Sequence, residues 1–249
     1  MVLQGEEGEL TTPSARVLVA TAVPAERDAV AGAFPGETVA VRLPGAGLVR
    51  VQDGPDLLAA GVGPALAAAS TATALTAAAL AGTPYDLVVC AGIGGGFAPE
   101  APLGSLVVAD AITVADLGAE TADGFLPVTE LGFGTVTHRP PESLVRGISQ
   151  AAGARAGTVL TVSTVTGTAA RAAELRAGHP GVLAEGMEGF GVAEAAAAHG
   201  VPVLEIRAVS NPVGPRDRAA WRIGEALAAL TEGFGKLTPV LESWNPHDR

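Results

Sequence analysis

Cysteine is almost absent from this 249-residue chain: Cys90 stands alone, so no disulfide can form within it. Its place at the end of an apolar run marks a buried thiol of a reducing compartment, and the expected location is cytoplasmic. Aromatic residues make up only 4% of the chain, which excludes a core built on stacked rings; Ala, Val and Leu must supply it instead. Basic residues are scarce too, 15 Lys and Arg against 26 Asp and Glu, for a formal charge of −11. Nucleic acid and anionic membrane surfaces both require a clustered basic face, so neither is an expected partner. A small molecule is. A run without charge separates Asp56 from Asp86, but Gly61, Gly63 and Pro64 break it and the remainder is Ala, Thr and Ser, too weakly apolar to span a bilayer. The first residues, through Thr12, are acidic and polar, and residues 1–15 are expected to be a disordered tail rather than a signal peptide.

What is present is an alternation of short apolar runs and Ala-rich helical stretches. Strands are expected at Arg16 to Ala22, Thr38 to Arg42, Leu48 to Gln52, Leu57 to Gly61, Leu87 to Ala91, Leu106 to Val114, Thr158 to Ser163 and Val203 to Val209. Helices are expected at Ala25 to Ala33, Pro64 to Ala81, Glu142 to Ala152, Ala169 to Ala177, Glu188 to His199 and Ala219 to Leu241. The stretch from Leu117 to Pro141 is Gly-rich and irregular, as functional connections often are. Alternating strands and helices point to a mixed or parallel sheet covered on both faces. No linker divides the chain, so residues 16–241 form one domain and 242–249 a C-terminal tail.

Several chemistries can be set aside. Gly92-Ile93-Gly94-Gly95-Gly96 follows a buried strand, where a backbone nest binds an anion or approaches a ligand closely. Phe97 breaks the dinucleotide-binding spacing, however, and Pro99 and Pro102 prevent an immediate helix. No phosphate-binding G-x-x-x-x-G-K-[ST] loop and no G-x-S-x-G elbow occurs, and the histidines at 138, 179, 199 and 247 have no metal-like spacing. No metal or organic cofactor is expected.

In an open α/β sheet ligands gather beyond the carboxyl ends of the strands. Four such places carry chemistry here: Glu26, Gly92 to Phe97, Gly186-Met187-Glu188-Gly189, and Ser210-Asn211. With Gly61-Val62-Gly63-Pro64 and Leu103-Gly104-Ser105-Leu106-Val107-Val108 they form an ordered set from about Arg16 to about Glu232. The set resembles the purine nucleoside phosphorylase and nucleosidase superfamily, in particular its methylthioadenosine nucleosidase branch and, most closely, the futalosine hydrolases. Pro212-Val213-Gly214-Pro215-Arg216-Asp217-Arg218 looks like the futalosine hydrolase version of that segment.

The resemblance implies a three-layer α/β/α fold with a mixed, partly closed central sheet, and hydrolysis of futalosine to hypoxanthine and dehypoxanthine futalosine in menaquinone biosynthesis. It implies Glu26 as general base toward water, Glu188 as the grip on the ribose hydroxyls, and Asn211 as the reader of the base. Cleaving an N-glycoside builds positive charge on the sugar and negative charge on the purine, so carboxylates near the ribose and polar groups at the base both help. Asn211 replaces the aspartate usual in adenine nucleosidases; a carboxamide can donate to a 6-oxo group and accept from a protonated N7, which selects hypoxanthine. Substrate contacts are expected from Ile93, Gly94, Gly95, Phe97, Thr166, Gly167, Met187 and Ser210. The benzoate end of the substrate calls for an apolar slot and a cation; Phe133, His138 and Arg139 are candidates, with Arg216, Asp217 and Arg218 as alternatives. Family resemblance also implies a homo-oligomer whose active site a neighbouring subunit completes.

Three rival readings stay open. Methylthioadenosine or adenosylhomocysteine nucleosidase activity is disfavoured by Asn211. A 6-oxopurine nucleoside phosphorylase is disfavoured by the apolar glycine loop and by Glu26, which repels an anion, although Arg27 keeps it open. Retention of both glutamates disfavours a non-catalytic nucleoside-binding protein.

Overall fold

The computed structural model describes residues 15–245. The expected N-terminal tail lies outside the described residues except for Ala15, as do 246–249. The chain runs β1 (Val17–Thr21), α1 (Pro24–Ala31), β2 (Thr38–Leu43), β3 (Ala46–Val51), β4 (Asp56–Ala59), α2 (Pro64–Leu80), β5 (Leu87–Gly96) and β6 (Leu106–Val114). It continues through β7 (Gly118–Thr121), β8 (Gly124–Pro127), β9 (Thr137–His138), α3 (Glu142–Ala152), β10 (Arg155–Thr161) and α4 (Ala169–Gly178). The last elements are β11 (Val182–Gly186), α5 (Gly189–Ala198), β12 (Val203–Pro212), a 3-10 turn (Arg218–Ala220) and α6 (Ile223–Ser243).

Ten strands form one mixed sheet in the order β11-β10-β6-β12-β5-β1-β4-β3-β2 with β9 beside β6, and β11 also pairs with β5, so that end of the sheet closes on itself; β7 and β8 form a sheet of their own. The expected three-layer, partly closed architecture is present. Helices α1, α3 and α6 cover one face, where Val30, Leu144, Ile148, Leu230 and Phe234 pack on Val19, Val89 and Ile206. On the other face α2 and α5 bring Ala67, Ala74, Val192 and Ala196 onto Leu18, Val88 and Cys90. Gly191 is what allows these two helices so close an approach: a Cβ there, on α5, would stand 2.0 Å from the Pro64 carbonyl oxygen of α2. None of the helices among the described residues is long and apolar enough to cross a membrane.

Four expectations need correction. Gly92 to Gly96 is not a turn or nest but the second half of β5, because each glycine lets a neighbouring group press on the strand: a Cβ at Gly94 would lie 2.7 Å from the Glu185 carbonyl oxygen and one at Gly96 2.2 Å from that of Ala101. Strand β11 had no counterpart in the sequence reading; its five residues follow His179-Pro180-Gly181 and merge into the Gly-Met-Glu motif. The irregular segment after Leu117 contains a hairpin, β7 with β8, and the short β9 that adds His138 to β6. At the C-terminus α6 reaches Ser243, into the stretch expected as tail.

Candidate active site

Glu26 lies in the first turn of α1, placed there by Pro24 at the helix start. Its Oε2 accepts from the amides of Ala22 (2.9 Å) and Val23 (3.3 Å), the usual way an acidic residue in a first turn caps a helix. Its Oε1 does something else: it crosses to β5 and accepts from the Ile93 amide at 2.9 Å. With one backbone partner only, Oε1 is the atom left with a lone pair to use. Burial pushes the Glu26 carboxyl above the ordinary value, against the pull of the nearby Arg207 guanidinium and of the Ile93 amide.

Glu188 ends the turn between β11 and α5. Its Oε1 accepts from the amide of Gly63 (3.3 Å), and its Oε2 from Arg207 Nη1 (3.2 Å) and the Met187 amide (3.3 Å). Arg207, on β12, is the residue that sequence reasoning passed over. It is fully buried and donates through Nη1 also to the Ile93 carbonyl (3.4 Å), through Nη2 to Cys90 Sγ (3.3 Å) and through Nε to Glu205 (2.8 Å). A Cβ placed on Gly92 would fall 2.7 Å from Glu26 Oε1 and 3.0 Å from Arg207 Nη1, so carboxylate and guanidinium share one notch in β5. Glu26 and Arg207 converge on Gly92 and Ile93, and Glu188 joins them through Arg207.

A second cluster sits farther along β5. Asn211 pairs with Gly95, two residues or about 7 Å beyond Ile93, a spacing on the scale of a ribose joined to a purine. Ser210 Oγ donates to Asn211 Oδ1 (2.8 Å), with the Gly94 carbonyl 3.2 Å away, fixing the carboxamide, while Nδ2 donates to the Pro212 carbonyl (3.2 Å) and keeps its second hydrogen. On the other side of Gly95 lies Glu185 of β11. Its carboxylate holds Thr166 by both amide (2.9 Å) and hydroxyl, anchoring the loop of Thr166 and Gly167 beside β5. Burial raises the Glu185 carboxyl too, against those two Thr166 hydrogen bonds. Met187 is half-buried next to Glu188.

The remaining candidates are placed elsewhere. Phe97 is 1% exposed and packs with Leu160, Val162 and Leu175, so the core takes the ring that was expected against substrate. His138 Nε2 is held by Glu194 at 2.7 Å and its ring stands 5.3 Å from that of Phe190, which commits one of its two ring nitrogens to α5. Arg139 lines a cleft with Glu142, Arg146, Val203 and Trp244, at the amino end of β12, opposite the end that carries Asn211. Phe133 is 69% exposed, in the loop after β8. Arg216 and Arg218 are exposed, their guanidinium carbons 5.7 and 5.8 Å from the centre of the Trp221 ring, while Asp217 caps the 3-10 turn. The Arg222 amide donates to the Ser210 carbonyl (2.8 Å), which ties this loop to the cluster around Asn211. Arg27, the reason to keep phosphate in view, spends its Nε and Nη2 on Asp28.

Raised acidity thresholds have a consequence for activity. If Glu26 must be ionised to act, activity rises with pH only as the proton leaves its raised carboxyl, so the acid limb of kcat/KM lies above the range of an ordinary glutamate. The sign for stability is opposite: a carboxyl raised in the fold contributes stability that is present in acid and is lost as pH rises through its folded value. Mild acid should therefore silence the protein without unfolding it. Rates and melting temperatures recorded across the same pH series test this, and a coincident loss of both would refute it.

The chain matches the model of the phosphorylase superfamily over residues 8–238. It is 80% identical over 233 residues to a futalosine hydrolase of Streptomyces coelicolor, covering 94% of this chain and 99% of that one. It is 34% identical over 161 residues to a futalosine hydrolase of Thermus thermophilus, covering 63% and 71%. Among solved structures, a 5'-methylthioadenosine/S-adenosylhomocysteine nucleosidase from Neisseria meningitidis superposes with a TM-score of 0.76 at 20% identity, over 90% of this chain and 99% of that one. A futalosine hydrolase of Helicobacter pylori gives a TM-score of 0.75 at 16% identity, over 91% and 98%. At these last two identities the likeness is one of fold.

Proposed function

Because the chain belongs to the phosphorylase superfamily and, within it, to the futalosine hydrolases, we propose that it splits the N-glycosidic bond of futalosine with water and releases hypoxanthine. One observation supports this division of labour most directly: Glu26 and Glu188 reach the same two residues of β5, the first through the Ile93 amide and the second through Arg207. In the proposed reaction Glu26 Oε1 takes a proton from water as the oxygen attacks the anomeric carbon. The carbon–nitrogen bond breaks and its electron pair leaves on the purine. Glu188, gripping the ribose hydroxyls, stabilises the cationic sugar between. Asn211 receives the departing base, its free Nδ2 hydrogen donating to the 6-oxo group and its carbonyl accepting from a protonated N7; solvent supplies that proton.

Water rather than phosphate is favoured because a buried carboxylate borders the attacking side and Arg27 is already paired. The decisive assay incubates the protein with futalosine, inosine and methylthioadenosine, with and without phosphate, and identifies the released base. The expected result is hypoxanthine from futalosine at a rate indifferent to phosphate. A requirement for phosphate would make the protein a phosphorylase.

Two further readings accompany this one. A buried lone thiol supports the cytoplasm as location. The exposed Leu117, Phe125, Leu131 and Phe133, gathered on the β7–β8 hairpin and the loop after it, support a homo-oligomer that covers them.

A further inference from the structure

Strand β12 carries two charges on a face that otherwise packs against α2 and α5. Glu205 and Arg207 stand there side by side, flanked by Val203 and Val209. Arg207 has a role in the reading above. Glu205 has none, yet it is 0% exposed, and burial pushes its carboxyl up against the pull of Arg207. Its single hydrogen bond runs from Arg207 Nε to its Oε1 at 2.8 Å, and its Oε2 has no hydrogen-bond partner among the described residues. An aliphatic residue would satisfy this apolar face better than a half-satisfied carboxylate, since buried ion pairs seldom stabilise a fold relative to well-packed apolar side chains. Stability alone does not account for Glu205.

The motif around Glu188 is cut to fit the pair. A Cβ on Gly186 would lie 2.8 Å from the Arg207 guanidinium carbon, and one on Gly189 would lie 2.1 Å from Glu205 Oε2 and 2.4 Å from its carboxyl carbon. Glycines on both sides of Met187-Glu188 thus leave room for the two side chains of β12. In the absence of Glu205, Glu188 at 3.2 Å is the one charged hydrogen-bond partner left to Arg207 among the described residues, because Cys90 Sγ is a weak acceptor and the Ile93 contact is long. A carboxylate on Nε sets the plane of the guanidinium, and that plane aims Nη1 at both Glu188 and Ile93.

We infer that Glu205, seated in the space left by Gly189, is a positioning residue that acts through Arg207 to hold Glu188 at the sugar. The inference rests on the hydrolase reading of the same site. Its product is a kcat effect: Glu205 touches no substrate, so ground-state binding of the nucleoside is not its concern, while the placement of Glu188 in the transition state is.

The test uses futalosine hydrolysis by the full chain. Glu205→Leu should lower kcat about fiftyfold with KM changed less than about threefold, in the range that a displacement of one ångström costs. Glu205→Gln, which keeps an acceptor for Nε, should restore kcat to within about fivefold of the parent. Gly189→Ala pushes Glu205 aside without touching its charge and should lower kcat about tenfold, yet add less than about twofold to Glu205→Ala, because both changes remove the same arrangement. Should the leucine variant fail to fold, the glutamine and alanine variants still decide. A leucine variant within about threefold of the parent, equal losses for Leu and Gln, a loss carried by KM, or additive effects of Gly189→Ala and Glu205→Ala each overturn the inference. Hypoxanthine from none of the samples, the parent included, removes the hydrolase reading and this inference with it.

Discussion

Glu26→Gln should lower kcat for futalosine hydrolysis by about 10³-fold, the middle of the range attributed to a positioned general base. The substitution keeps the length of the side chain and leaves one oxygen able to accept from the Ile93 amide. What it removes is the basic lone pair of Oε1. The carboxamide nitrogen would face the Ala22 and Val23 amides, which now donate to Oε2, so some rearrangement of the first turn of α1 is expected as well. The two effects separate in the kinetics. Loss of the base falls on kcat and leaves the purine contacts at Asn211 intact, whereas a collapsed helix start would raise KM and lower the melting temperature. Steady-state rates beside a thermal melt therefore suffice, and a variant within tenfold of the parent in kcat would assign the proton to another group.

Much of the scaffold was legible because its local signals agree with its global role. Strand β6 at Leu106–Val114 and helix α3 at Glu142–Ala152 have the bounds that periodicity alone assigns. Helix α3 shows why: Leu144, Val145 and Ile148 form one buried stripe and Gly153 stops the helix in a left-handed turn. Strand β5 was half hidden because its last five residues include four glycines, which carry no pattern and read as a loop; they belong to the strand only because Glu26, Arg207, Glu185 and Asn211 need to approach it. Strand β11 was hidden by brevity.

In the site, Glu26, Glu188 and Asn211 stood out as polar residues just past apolar runs. Arg207 and Glu205 were visible in the same sense, two charges at i and i+2 inside the run Val203 to Val209, and that spacing is the signal of a buried ion pair on one strand face. Within an expected strand the two charges pass for ordinary strand residues. The residues for the benzoate end were not legible, because nothing in a loop sequence reports which end of the sheet it reaches. Arg139 and His138 adjoin each other in the chain, yet one faces the amino end of β12 and the other is locked to α5.

Asn211→Asp should turn base preference from hypoxanthine toward adenine, shifting the ratio of kcat/KM between the two nucleoside types by about 10²-fold or more. The geometry decides which protonation state the new carboxyl would take. One of its oxygens would inherit the hydrogen bond from Ser210 Oγ; the other would replace Nδ2 and point at the Pro212 carbonyl, acceptor against acceptor. Position 211 is only 9% exposed. Burial and that repulsion both favour the neutral acid, whose single proton can be given to N7 of a departing purine. Once ionised by that transfer, the carboxylate accepts from a 6-amino group and repels a 6-oxo group. An asparagine can make the converse pair and cannot donate the proton outright, so the wild-type site must let the base leave with a proton from solvent. Futalosine and its 6-amino analogue, assayed with both proteins, give the ratio directly. If the ratio is unchanged while both proteins remain active, Asn211 does not read the sixth position of the base, and the recognition of hypoxanthine must be sought in the loop that Glu185 holds through Thr166.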